Sequence, residues 1–303
     1  MNWRAIGVWM GLLSIHSGLL AEVPPDAKFF ASGTVEYRPG NLPLVIAAPH
    51  GGRLVPAEIP DRVEGVLTRD AETDLLAIEV AEAIYRRTGL RPHLVLCHLH
   101  RRKVDCNRDA LVGTGGNPRA LETWRAFHDI IDEARTAAGR GLFLDLHGHS
   151  HPEARVEIGY LLDAKQLREE GADFNALAQV SSVASLAGTS PVSFEELIRG
   201  KSSLGALLHG GGFPAVPSPE FPDPGEEPFF RGGYNTARYR TGGTGDAFFS
   251  LQIECPKPGV RDTEENRRRF AKALATSLEA WLLRHAGIRL VNEEARPESR
   301  GSE

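Results

Sequence analysis

Short apolar runs that end at a histidine, an arginine cluster or a glutamate constrain the fold of this 303-residue chain most strongly. They are residues 42–48 before His50, 93–97 before the cluster 101–108, 142–146 before His147, and 248–253 before Glu254. Runs of this length and composition are typical of buried strands. Between these runs, apolar residues recur at helical spacing in residues 71–87 and 121–138. The order of elements therefore predicts βαβ units and a mostly parallel sheet.

The rest of the chain adds shorter elements to this plan. We expect a strand at 156–162, short helices at 174–186 and 203–208, and a last helix at 262–283 capped by Asp262 or Thr263. Residues 210–245 are rich in Gly and Pro without periodicity, which is typical of a functional lid or a disordered loop. The sequence therefore predicts a single α/β domain at 22–288, with a mostly parallel mixed sheet flanked by helices, and a disordered charged tail at 289–303.

The first 21 residues have the pattern of a secretory signal peptide. Arg4 supplies a positive charge, residues 5–20 are mostly apolar, and Ala21 offers a small residue for cleavage. An uncleaved membrane anchor is the alternative, but this apolar run is shorter than the ~20 residues of a spanning helix. We expect a secreted or periplasmic protein with no stable membrane insertion after cleavage.

Charge and cysteine content exclude several classes of protein. The net charge of −5 and the pI near 6.1 lack the basic excess of nucleic-acid-binding proteins, so no nucleic-acid partner is expected. Cys97, Cys106 and Cys255 are too few and too widely spaced for a disulfide scaffold or a cysteine-rich zinc site. Two of them could pair in an oxidising compartment, or all three are small buried hydrophobic residues. Any zinc must be held by histidine and carboxylate.

Two histidines at predicted strand ends are the best candidates for zinc ligands. His50 and His147 would meet at the carboxyl edge of the sheet, where open α/β sheets bind ligands. Catalytic zinc commonly has three protein ligands, so a carboxylate should complete the set. We choose Asp74, at the start of the next helix, over Asp70 and Glu72. Singly, each of these residues has a structural alternative as a hydrogen-bonded histidine or a helix-capping acid.

The segment 101–108 contains a second set of candidate site residues. Arg101 and Arg108 carry planar guanidinium groups, which bind carboxylates through paired hydrogen bonds and can stabilise an oxyanion. The alternative is a solvated surface run of alternating charges. Its position after a predicted strand favours a functional role.

Several motifs together resemble the N-formylglutamate amidohydrolase family, over about residues 42–283. Each motif is weak alone, but they occur in the same order as in that family. They are Pro49-His50-Gly51-Gly52 with Pro56, Thr73-Asp74, Arg101 followed by Val104-Asp105-Cys106-Asn107-Arg108, Leu144 to His149, Ser203-Leu204-Gly205, Gly232-Gly233-Tyr234 with Arg238-Tyr239, and Leu251 to Glu254.

The resemblance implies the zinc carboxypeptidase and aspartoacylase type of fold. It implies that Asn107 and Arg108 bind a substrate carboxylate and that Glu254 is the general base. Arg101 would contact the oxyanion or the carboxylate, and Tyr234 with Arg238 would close over the ligand. Two features depart from the family: glycine at position 51, where serine is common, and the predicted export. Members known for histidine breakdown act inside the cell.

The predicted function is zinc-dependent hydrolysis of an amide bond in an N-acyl amino acid or an acidic peptide-like substrate. The cofactor is zinc on His50, Asp74 and His147, and the partner is a small molecule or peptide bearing a carboxylate. The alternatives are an exported carboxypeptidase, an amidase of cell-wall or poly-glutamate peptides, and a non-catalytic metal- or carboxylate-binding homologue. Glu254 has its own alternative as a buried carboxylate paired with an arginine.

Overall fold

One eight-stranded sheet organises the computed structural model, which describes residues 26–240 and 247–290. The order of strands across the sheet is β1-β2-β4-β3-β5-β8-β6-β7. The strands are β1 Lys28–Phe30, β2 Val35–Arg38, β3 Leu44–Ala48, β4 His93–Cys97, β5 Arg140–His149, β6 Val156–Gly159, β7 Ala215–Val216 and β8 Ala247–Pro256.

The four central strands, β4, β3, β5 and β8, are parallel, so their carboxyl ends share one edge. Antiparallel pairs flank them, because β2 runs against β4 and β6 runs against β8. Each βαβ crossover covers a face of the sheet with helix, which is why the central strands are continuous apolar runs.

Helices cover both faces of the sheet. Two long helices begin at capping residues: Asn117 caps α3 with Pro118 in its first turn, and Thr263 caps α10. The helices are α1 Thr73–Thr88, α2 Ala110–Thr114, α3 Pro118–Ala138, α4 Ala164–Leu167, α5 Gly171–Ala176, α6 Ala184–Ala187, α7 Phe194–Arg199, α8 Leu204–Gly210, α9 Tyr234–Tyr239 and α10 Glu264–Ala286.

Side chains alternate between two cores along the central strands. Ile46 and Leu144 point towards the core that contains buried side chains of α1 and α10. Val45 and Phe143 point the other way, into the core that contains buried side chains of α3. On the face covered by α3, the side chains become polar towards the carboxyl ends of the strands. The candidate site residues lie at this end of that face.

The predicted α/β fold with a mostly parallel mixed sheet is confirmed. Two antiparallel strands, β1 and β2, were not predicted, because the entry segment is polar. Glu36 and Arg38 are buried there as an ion pair with a 2.6 Å contact, which satisfies the charges that a sequence pattern counts against a strand.

The Gly- and Pro-rich segment, which was predicted to be a functional lid or a disordered loop, contains two short elements that were not predicted from the sequence. Residues 210–240 contain β7 and α9, while 241–246 lie outside the described residues. The predicted signal peptide and residues 291–303 of the predicted tail also lie outside them, whereas Leu290 is buried in the core. Across the described ranges, none of the helices combines the length and hydropathy needed to cross a bilayer.

Candidate metal centre

The carboxyl ends of three parallel strands bring the candidate residues together. His50 follows β3, His147 lies near the end of β5, and Glu254 lies near the end of β8. His147 is the register partner of Glu254 on the neighbouring parallel strand, so both side chains project from the same face. The predicted meeting of these residues at one edge of the sheet is what the structure shows.

Three ligand-type atoms form a compact triangle at this edge. His50 Nδ1 lies 3.1 Å from His147 Nδ1 and 3.2 Å from Asp70 Oδ2, and His147 Nδ1 lies 3.1 Å from Asp70 Oδ2. All three residues are buried. The backbone N–H of Gly148 also donates to Asp70 Oδ2, at 3.3 Å, which fixes the carboxylate over the strand end.

The far nitrogen of each imidazole is held by another carboxylate. His50 Nε2 lies 2.7 Å from Asp105 Oδ1, and His147 Nε2 lies 2.8 Å from Asp145 Oδ2. An ionised carboxylate only accepts hydrogen bonds, so each Nε2 carries a proton and donates it. When a ring is neutral, its Nδ1 therefore has a lone pair directed at the triangle. Burial would lower the pKa of His147, but Asp145 and Asp70 outweigh it and raise this pKa well above its ordinary value, so without a metal ion a proton lies between His147 Nδ1 and Asp70. Carboxylates orient metal-binding histidines in the same way.

The triangle matches the donor set of a tetrahedral zinc site. Zinc binds histidine nitrogen and carboxylate oxygen at about 2.0–2.2 Å, which places neighbouring ligand atoms roughly 3.3 Å apart. The observed sides of 3.1–3.2 Å are close to this spacing. Two nitrogen lone pairs and a carboxylate oxygen repel one another unless a cation or a proton lies between them, so the residues present fit a metal ion.

The structure brings Asp70, rather than Asp74 or Glu72, to the two histidines. Asp70 lies in the loop before α1, and its backbone N–H donates to the carbonyl of His50 at 3.0 Å. Asp74 instead pairs with Arg53 at 2.5 Å, and Glu72 also contacts Arg53, at 2.9 Å. Arg53, three residues after His50, contacts both of these acids, so in this structure neither of them lies in the group formed by the two histidines and Asp70.

Arg101 bridges two carboxylates beneath the site. Its Nη1 donates to Asp70 Oδ1 at 3.2 Å, and its Nε donates to Asp105 Oδ2 at 3.0 Å. Burial alone would raise the pKa of Asp105, but the neighbouring His50 and Arg101 outweigh it and hold the pKa well below its ordinary value. Burial likewise opposes ionisation of Asp70, and the two histidines lower its pKa well below the usual range. Both acids are therefore carboxylates at neutral pH.

Glu254 is a buried carboxyl group with one oxygen free. Gln252 donates to its Oε1 at 2.8 Å, whereas Oε2 has no hydrogen-bond partner within the described part of the chain. Burial raises the pKa of Glu254 to about 8, and the carboxylates of Asp70 and Glu157 add to the rise while His147 opposes it. The predicted alternative of a direct ion pair with an arginine is not seen among the described residues.

The predicted substrate-binding residues lie around the same edge. Asn107 is buried, with Nδ2 3.4 Å from His147 Nε2 and Oδ1 accepting from the backbone of Asn235 at 2.8 Å. Arg108 is exposed; its Nη1 donates to the Asn107 carbonyl, and no described carboxylate lies within ion-pair distance of it. Tyr234 and Arg238 lie in α9, where Arg238 pairs with Asp132 at 3.3 Å.

Sequence reasoning missed the carboxylates that orient the histidines. Asp145 is two residues before His147 in a strand, so alternation alone places the two side chains on one face. That signal was present in the sequence. Asp105 was noted only as part of a charged run, and its contact with His50 depends on the path of the loop after β4, which no periodicity predicts.

A second group of metal-type residues, His149, His151 and Glu157, lies beside the first. His149 Nε2 donates to the carbonyl of Arg155 at 2.8 Å, and its Nδ1 accepts from the backbone of His151 at 3.1 Å. Both nitrogens of His149 are thus occupied. This group is therefore a hydrogen-bonded structural cluster at the end of β5 and lacks the free lone pairs of the first.

Comparison with solved structures identifies the fold. No protein-family model matches the sequence, and neither does any curated protein. N-formylglutamate amidohydrolase from Ralstonia eutropha superimposes with a TM-score of 0.52 at 16% identity, covering 84% of this chain and 99% of that one. A gene product of Agrobacterium tumefaciens gives a TM-score of 0.47 at 14% identity, covering 84% of this chain and 98% of that one.

The first of these similarities shows the fold of the chain. This fold agrees with the resemblance of the sequence motifs to the N-formylglutamate amidohydrolase family. The chain has the fold of N-formylglutamate amidohydrolase from Ralstonia eutropha.

Proposed function

We propose that this protein is a zinc-dependent hydrolase of an amide bond in an N-acyl amino acid or a related peptide-like substrate. The observation that carries the proposal is the triangle of His50 Nδ1, His147 Nδ1 and Asp70 Oδ2, with sides of 3.1–3.2 Å. Its two imidazoles are oriented by carboxylates on their far sides. The fold shared with an amidohydrolase supports the choice of reaction.

His50, Asp70 and His147 would hold the metal, with Asp70 in the place that the sequence gave to Asp74. Three protein ligands leave one coordination position open, as catalytic zinc requires. Zinc bound there would polarise the scissile carbonyl and lower the pKa of a water molecule beside it.

Glu254 moves the proton in this proposal. Its Oε2 has no hydrogen-bond partner among the described residues, and its pKa of about 8 lies close to neutrality, where a group both accepts and donates protons efficiently. Oε2 takes a proton from the attacking water and later gives it to the leaving nitrogen. Gln252 holds Oε1 and so keeps Oε2 directed at the reacting atoms.

Arg101 acts in this proposal as a positioning residue rather than as the predicted contact to an oxyanion or a substrate carboxylate. Both of its contacts are to carboxylates that hold the site, Asp70 and Asp105. The substrate carboxylate would bind Asn107 and the guanidinium of Arg108, for which the described part of the chain offers no ion-pair partner, and Tyr234 with Arg238 on α9 would close the site. We also propose that residues 1–21 are a cleaved signal peptide and that the enzyme acts outside the cytoplasm.

The test is hydrolysis of a panel of N-acyl amino acids and short peptides by the zinc-loaded protein. We expect turnover of at least one N-acyl amino acid. Glu254→Gln should keep its zinc and lose at least ~100-fold in kcat, since the amide cannot accept the proton. Glu36→Gln is a matched control, a buried carboxylate in β2 at the other side of the sheet, and should keep its rate per folded molecule. Full kcat in zinc-bound Glu254→Gln would refute the mechanism.

A further inference from the structure

Exposed apolar side chains are concentrated on two short segments beside the metal centre. Val63, Val66 and Leu67 are 92%, 50% and 37% exposed, and Leu111 and Val112 in α2 are 72% and 42% exposed. We call these five side chains the apolar lip. Single exposed apolar residues are ordinary on a protein surface, but a cluster of them marks a binding surface.

Buried Arg62 holds the first segment in place. Its guanidinium donates to the carbonyls of Glu64, Val66 and Arg101 at 2.7–3.2 Å, so residues 62–66 wrap around one charged group. A Cβ added to Gly115, the residue that ends α2, would lie 3.9 Å from Arg62 Cγ. The stem of Arg62 therefore lies beside the end of α2, and the two halves of the lip are neighbours.

Both segments of the lip lead directly into the site. Leu67 precedes Asp70 by three residues, and Leu111 follows Arg108 by three. Arg62 Nη2 also lies 3.6 Å from Oδ2 of Asp105, the acid that binds His50. The backbone N–H of Asp105 donates to the carbonyl of Gly113 in α2 at 2.7 Å, which fixes the helix above the centre.

We propose that the apolar lip binds the apolar side chain of the amino acid whose carboxylate binds Arg108. This inference rests on the proposed function and specifies its substrate class. Arg108 is exposed, lacks a carboxylate partner among the described residues, and in the sequence directly follows Asn107, whose Nδ2 lies 3.4 Å from His147 Nε2, and precedes α2 by two residues. A carboxylate bound to Arg108 would bring the side chain of the same amino acid towards Leu111, which is three residues further along the chain. The preferred substrate therefore has an aliphatic side chain, whereas the family resemblance implies an acidic one.

The test uses N-acetyl amino acids whose side chains grow from alanine through norvaline to norleucine, with N-acetylglutamate for comparison. A fully buried methylene favours binding about four-fold. We expect norleucine, with its three additional methylenes, to exceed alanine by at least ~10-fold in kcat/KM and to exceed glutamate. Leu111→Ser and Val63→Ser should reduce the increase of kcat/KM with side-chain length. Leu283→Ser is the matched control, because Leu283 is 43% exposed on α10, on the other face of the sheet, and should keep the full slope.

Calorimetric binding of the same compounds to the metal-free protein separates the failure of the lip from the failure of the proposed function. In one outcome, no compound is hydrolysed while N-acetylnorleucine still binds more tightly than N-acetylalanine, and Leu111→Ser removes this difference in affinity. That result would support side-chain binding by the apolar lip and refute the proposed amidase activity. Equal kcat/KM and equal affinity across the series would refute the proposal that the apolar lip binds the substrate side chain. A dimer that Leu111→Ser dissociates would also overturn it, by showing that a second copy covers this surface.

Discussion

Glu254 is buried, and one of its carboxyl oxygens has no hydrogen-bond partner in residues 26–240 and 247–290, a combination that is unfavourable for folding. Its pKa of about 8 is above the ordinary value of 4.5, so between these pH values the folded protein holds a proton that the unfolded chain has released. Stability contributed by this proton is present at low pH and is lost as the pH rises towards about 8.

Replacement of Glu254 by glutamine should therefore stabilise the metal-free protein at alkaline pH. We expect Glu254→Gln to raise Tm at pH 8.5 by at least ~2 °C and to have little effect at pH 5, where the parent carboxyl is already neutral. Thermal melts of both proteins at the two pH values measure this. A lower Tm at both would mean that Glu254 has a structural partner as a carboxylate.

Arg108 should be sensitive even to a substitution that preserves its charge. Lysine cannot make the two-pronged contact of a guanidinium with a carboxylate. We expect Arg108→Lys to raise KM about 10-fold or more for a substrate with a free carboxylate, with zinc content and Tm unchanged. An amide-capped version of the substrate is the control, since both proteins should handle it equally poorly. An unchanged KM for the free acid would move carboxylate binding elsewhere.

The sequence predicted which residues lie at the site better than it predicted which of their side chains contact each other. His50, His147 and Glu254 could be found because each follows an apolar run that ends at the same edge of the sheet. Asp70 could not be separated from Asp74 and Glu72, since all three lie near the start of α1. Their roles depend on which acids Arg53 contacts, and a side-chain contact across 21 residues has no periodic signal.

The segment after β3, which includes His50, lies very close to the backbone of the segment after β4. Leu54 donates to the carbonyl of His98 and accepts from His100, so this segment lies against the residues after β4. A Cβ added at Gly52 would lie 2.3 Å from the backbone of His98. Only glycine permits this close approach, which fixes the loop that carries His50 into the centre.

Gly52→Ala should consequently disrupt the element and the site together. We expect a fall in Tm of roughly 5 °C or more, because the clash is with backbone rather than with a flexible side chain. Gly210→Ala is the control, since a Cβ at the end of α8 meets no atom within 4 Å; its Tm should be unchanged or higher. Equal Tm values for the two variants would show that the close approach at Gly52 is unimportant.

Elements were predicted well where burial is apolar and poorly where it is polar. The strand at 93–97 and the helix at 71–87 correspond closely to β4 and α1, because apolar spacing reports their environment directly. The missed strand β2 buries Glu36, Arg38 and a contact to His98, which only the folded arrangement neutralises. The same limit applies to α9, whose neighbours in sequence are glycines and charged residues.

At the scale of the whole molecule, the fold gathers residues from distant parts of the chain. The ligand triangle joins His50, Asp70 and His147, and Glu254 reaches it from the last strand. The parallel order of β3, β5 and β8 makes this possible, because three carboxyl ends meet at one edge. The sheet was predictable from the sequence, and the identity of the third ligand required the folded loop before α1.

Zinc stoichiometry in a matched pair of variants tests this account most directly. Asp70→Asn and Asp74→Asn make the same change four residues apart, and the protein is dialysed against a weak chelator before elemental analysis. We predict about one zinc ion per chain in the parent and in Asp74→Asn, and little zinc in Asp70→Asn, since a carboxamide is a poor zinc ligand. Full zinc in folded Asp70→Asn, or its loss from Asp74→Asn alone, would contradict the assignment of the centre to His50, Asp70 and His147.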